Sequence, residues 1–83
     1  MADFEYNITG CLDKYGDVDE ALKWFNRAEK ELTDREYIQL VDTTIGDKYL
    51  SDERFSRVYS TFKNKRLKLY GREGVKAMLI TDI

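Results

Sequence analysis

Apolar residues recur along this chain at intervals of three and four, and a hydroxyl or acidic residue stands before each recurring run. Val18, Ala21, Leu22, Phe25, Ala28 and Leu32 share one stripe when successive residues turn by about 100°. Asp17-Val18-Asp19-Glu20 has the spacing of a capping box, so the stripe predicts a helix that begins at Asp17. Thr33-Asp34-Arg35-Glu36 repeats that logic, with Leu32 placed as a hydrophobic staple onto Tyr37. The second helix carries Tyr37, Ile38, Val41 and Ile45 on its stripe and is predicted to stop at Gly46, the residue best suited to a left-handed cap. Ser51, followed by Asp52 and Glu53, predicts the start of a third helix lined by Phe55, Val58, Tyr59, Phe62, Leu69 and Tyr70 as far as Gly71. Arg66 falls inside that apolar arc, so either its side chain snorkels out or the helix bends or ends near Lys63-Asn64-Lys65.

The flanks are less regular. A short helix is expected around Thr9 to Tyr15, and Val75 to Ile80 suits either a last helical turn or an extended tail. The expected fold is all-α, a compact bundle of three main helices plus one or two short terminal helices. Residues 1–83 then form one domain. Between Gly16 and Ala28 the chain resembles the second half of a tetratricopeptide repeat, with Ala21, Phe25 and Ala28 at matching spacing. A shift by one repeat length lands on Phe55, Tyr59 and Phe62, where that family places small residues, so the resemblance implies a packed helical hairpin and no array.

Composition narrows the chemistry. With 42% hydrophobic and 36% charged residues the chain suits a folded and highly charged domain. It contains no histidine, which removes the commonest general base and metal ligand. Cys11 is the only cysteine and has neither a CxxC partner nor an imidazole to activate it, so a small buried apolar role is expected. Asp13, Asp17 and Asp19 alternate as calcium ligands do. Tyr15, Val18 and Trp24 would then occupy the third, sixth and twelfth positions of the loop, where the pattern needs other residues. No phosphate-cradling glycine run occurs. Neither an enzyme nor a cofactor or metal is therefore expected. The opening residues, with Asp3 and Glu5, lack the basic start and apolar run of a secretory signal, and the longest apolar stretch, 77–80, is far too short for a bilayer. A cytoplasmic location without a membrane partner follows as the expectation.

Charge divides the chain into two poles. Residues 1–50 hold 12 acids against 6 bases, residues 51–83 hold 4 against 8, and no acid occurs from Arg57 to Arg72. On a helical wheel Arg54, Arg57, Lys65, Lys68 and Arg72 lie within about 120° of one another, opposite the apolar stripe. Such a ridge suits phosphates, and the segment around Gly46 resembles a helix-turn-helix with a long turn, which supports nucleic-acid binding as one reading. The reading ranked first is a non-enzymatic helical protein that binds another protein as an adaptor, inhibitor or regulator. Trp24 lies about 80° from the centre of its apolar stripe and Leu40 lies further off its own, so both are expected to be partly exposed. A short N-terminal helix carrying Phe4, Tyr6 and Ile8 would instead cover Trp24 if it packs there. Glu29 and Glu31 supply an acidic border at the helix junction, where i,i+4 pairing of Arg27 with Glu31 is the simpler role. A homo-oligomer is compatible with all of this.

Overall fold

In a computed structural model, described for the backbone of residues 2–81 and the side chains of residues 3–71, the chain is built from helices and, among the described residues, has no strand. Helix α1 spans Ala2–Thr9 and runs on without a break into a π-helical segment, Gly10–Tyr15. Helix α2 spans Val18–Glu31 and α3 spans Asp34–Thr44; a single 3-10 turn, Glu53–Phe55, then leads into α4, Ser56–Thr81.

The local signals explain most boundaries. The Asp17 carboxylate accepts the Glu20 amide at 3.1 Å and starts α2 as the capping pattern predicts. At α3 the box is complete, with the Thr33 hydroxyl accepting from the Glu36 amide and the Glu36 carboxylate accepting from the Thr33 amide. Gly46 adopts φ +50 and donates its amide to the Val41 carbonyl at 2.8 Å, which ends α3 where a left-handed residue is required.

Two expectations change and one open alternative is decided. The N-terminal helix starts at Ala2, well before Thr9, because Gly10 sits inside the helical run at the α-to-π junction and terminates nothing. Entry to α4 is capped by Asp52 in place of Ser51: its carboxylate accepts the Arg54 amide at 3.0 Å, and a 3-10 turn precedes the helix proper. α4 continues through Lys63-Asn64-Lys65 and departs from helical geometry only at Gly71, with φ 74 and ψ 175. Beyond that kink the helical backbone includes Val75 to Ile80, the helical one of the two alternatives. Arg66 remains half-buried with its guanidinium 4.9 Å from the Phe62 ring centre, while Leu69 and Tyr70 are exposed and leave the core stripe.

The core gathers Ile8 from α1, Ala21, Phe25 and Ala28 from α2, Tyr37, Leu40, Val41 and Ile45 at α3, and Phe55, Val58 and Tyr59 at the start of α4. α3 is central, packed by α4 on one side and touched by α1 and α2 on others, while α1 lies chiefly along α2. The loop after α3 is tied down by one side chain: the Tyr59 hydroxyl donates to the Gly46 carbonyl at 2.9 Å and accepts the Tyr49 amide at 3.3 Å.

An ion pair joins α3 to α4 across the bundle. Lys65 Nζ on α4 donates to Asp34 Oδ1 at the first position of α3 at 2.8 Å, and the two side chains are 15% and 28% exposed. The hydrogen bond from Lys65 holds the Asp34 carboxyl below its ordinary range, and the Thr33 amide does the same for Glu36. A carboxyl whose folded-state pKa is depressed adds stability that is complete above its unfolded value and is lost as pH falls through the folded one. Urea midpoints are therefore expected to stay level near neutrality and to decline once pH drops below about 4. Asp34→Asn should make that acid decline shallower, a difference readable from midpoints recorded across the acid limb.

Candidate protein-interaction surface

The four residues singled out for protein contact do not form one site. Trp24 is half-buried in the seam between α1 and α2, where the Phe4 ring meets it edge-on, 6.0 Å away at an interplanar angle of 81°. The Arg27 guanidinium lies 4.8 Å from the Trp24 ring centre and 6.0 Å from that of Phe4, and its Nε donates to Glu31 at 3.3 Å. Trp24 and Glu31 thus belong to one cluster that fastens α1 onto α2, around a shallow groove of about 330 Å³. The covering N-terminal helix anticipated as the alternative for Trp24 is present, through Phe4.

Leu40 requires a correction: its exposure is 0%. It lies about 100° off the centre of the α3 stripe, but α3 has neighbours on several sides, so the buried arc is wide enough to include it. Glu29 is half-buried on another side of α2, in a groove it shares with Thr61, Asn64, Lys65, Leu67 and Lys68 of α4. It is apart from Trp24 and from the groove that holds Glu31.

The basic ridge is thinned by internal pairing. Arg54 forms a two-pronged bond to Asp52, with Nε to Oδ1 at 3.1 Å and a terminal nitrogen to Oδ2 at 2.8 Å. Lys65 is held by Asp34 and lies 5.3 Å from the Tyr37 ring centre. Arg57 and Lys68 remain exposed, and Lys63 joins them on the outer side of α4. The side chain of Arg72 lies outside the described residues.

A face that sequence reasoning passed over is the outer side of α1. Phe4, Ile8, Cys11 and Leu12 point inward at helical spacing and pack against the core. Tyr6, about 200° from Phe4 on the wheel, faces the opposite way, and its helix phase was the signal that could have found it. Tyr6 is 81% exposed and Tyr15 73% exposed, and both line a groove of about 760 Å³ with Glu5, Asn7, Cys11 and Asp13. The groove follows the π-helical turn, which widens the helix and ends at Gly16 with φ 62, the Gly16 and Asp17 amides both donating to the Cys11 carbonyl. Lys14 Nζ sits 5.6 Å from the Tyr15 ring centre.

Burial pushes the Cys11 thiol above its ordinary value, and the Glu20 and Asp17 carboxylates add to the effect, so the thiol is held protonated and weakly nucleophilic. Among the described residues no three His, Cys, Asp or Glu side chains converge as metal ligands, and no helix is long and apolar enough to cross a membrane. The chain matches no protein-family model, no curated protein and no solved structure.

Proposed function

We propose that this protein is a non-enzymatic helical module of the cytoplasm that acts by binding another protein, as an adaptor, inhibitor or regulator, through the outer face of α1. The observation that carries the reading is the pair of tyrosines, Tyr6 and Tyr15, both exposed and both on one groove whose floor is already packed from beneath by the core. Tyrosine supplies a large, stiff and amphipathic contact at small entropic cost, and it is enriched in the centres of protein interfaces. Nothing in the fold uses either ring as core.

Replacing both residues, Tyr6→Ser with Tyr15→Ser, is expected to leave the melting temperature within about 3 °C of the parent, since exposed substitutions usually change stability by no more than about 0.5 kcal/mol. The same variant should lose the protein that the parent chain retains in affinity purification. Retention of that protein at parental levels by the folded variant would remove the reading.

A further inference from the structure

The Tyr6–Tyr15 groove and the outer face of α4 have opposite charge. From residue 2 to residue 20 the chain carries Asp3, Glu5, Asp13, Asp17, Asp19 and Glu20 against Lys14 alone, and Glu5, Asp13 and Lys14 are on the groove itself, which leaves it net acidic. Along α4, Arg57, Lys63, Leu67 and Lys68 are all exposed on the outer half of the helix, with no acid in the chain between Arg57 and Arg72, although Leu67 and Lys68 also border the groove that holds Glu29 and Lys68 acts on Asp34. Glu5 and Asp13, eight residues apart across the π-helical turn, stand at most about 12 Å apart along their helix, and Lys63 and Lys68, five residues apart, about 8 Å, a difference that the long lysine side chains can span. Within a protomer α1 rests chiefly on α2 and α4 on α3, so neither outer face is consumed in packing the other.

We infer that the α1 groove of one molecule takes the basic face of α4 from a second copy of this chain, with Leu67 between the two tyrosines and Lys63 and Lys68 against Glu5 and Asp13. This rests on the groove being the recognition surface and adds a second copy of the chain to what that surface takes, in competition with the other protein. Cations beside exposed tyrosine rings gain from the ring faces as well as from the carboxylates, which favours lysine and arginine at that position. A contact of one helix on another is small, so the association is weak and depends on concentration. It also depends on salt, because exposed charges are screened over about 10 Å at 0.1 M ionic strength and over about 30 Å at 0.01 M.

Sedimentation equilibrium at low ionic strength, up to about 1 mM protein, tests the inference through two charge reversals. Glu5→Lys with Asp13→Lys spoils the groove, and Lys63→Glu with Lys68→Glu spoils the ridge. Each variant alone should be monomeric, since its two faces then carry like charge. Mixed in equal amounts they should associate again, because the intact ridge of the first meets the intact groove of the second. A parent chain that stays monomeric throughout, or a mixture no more associated than its separate components, overturns the inference. Either result leaves the tyrosine reading to stand or fall on its own purification experiment. Circular dichroism establishes that both variants fold. If a reversal unfolds the chain, Glu5→Gln with Asp13→Asn and Lys63→Ala with Lys68→Ala replace it, each expected to weaken self-association about tenfold alone.

Discussion

Phe55→Ala is expected to lower the melting temperature by about 20 °C, as followed by far-ultraviolet circular dichroism. The ring is fully buried in the 3-10 turn before α4, edge-on to Phe25 of α2 at 6.4 Å and tilted against Tyr49 at 4.6 Å. It is the point at which α2, the loop after α3 and the start of α4 converge. Truncating a buried phenylalanine costs about 3–5 kcal/mol, and in a domain of this size each kcal/mol moves the midpoint by about 4–8 °C. A chain of 83 residues has little stability in reserve, so the variant should already be partly unfolded near body temperature. A shift smaller than about 5 °C would mean that α4 does not dock through this ring.

Leu40→Ala is expected to cost about 2–5 kcal/mol, read as a fall in the urea midpoint at unchanged slope. The isobutyl group is enclosed by the core of which α3 is the middle, and its loss leaves a cavity that rigid helices on several sides cannot close. A wheel drawn on α3 alone predicts the contrary, a partly exposed leucine whose truncation costs about 0.5 kcal/mol or less. The size of the effect therefore distinguishes a central α3 from a peripheral one. A loss within that smaller range would place α3 at the edge of the bundle.

The contrast shows what a sequence of this kind makes legible. Caps are local: Asp17, Thr33 and Gly46 act within four or five residues of themselves, and each stands where the residue pattern puts it. The stripe of Ala21, Phe25 and Ala28 is legible for the same reason, since helical periodicity is a property of a short segment. Leu40 was misjudged as partly exposed because its burial comes from other helices, while Trp24 is half-buried, in keeping with the partial exposure expected of it, and its cover comes from α1. An amphipathic stripe reports one covered face, whereas α3 is covered from several directions and Trp24 is met by Phe4 from twenty residues away. The basic ridge was overcounted likewise, since the pairing of Lys65 with Asp34 joins residues 31 apart and no wheel of α4 contains it. The start of the N-terminal helix was placed too late, at Thr9 instead of Ala2. Glycine ends many helices, yet here Gly10 is carried within one, and the helix phase that singles out Tyr6 appears when Phe4, Ile8 and Leu12 are counted through it, whereas the exposure of Tyr15 comes from the π-helical turn, which no α-helical wheel anticipates.

The proposed recognition face is consistent with the acidic character and firm anchoring of α1. Its inner residues carry the packing, leaving the outer ones to contact, and the Phe4–Trp24–Arg27 cluster keeps the helix rigid, so little ordering is required on binding. A photo-reactive phenylalanine analogue placed at position 6, at position 15 and, as an exposed control, at position 50 tests this division of labour most directly. Irradiation of the chain with its purified partner should yield a covalent adduct from positions 6 and 15 and none from 50. An adduct formed from position 50 alone would contradict the assignment of recognition to the outer face of α1.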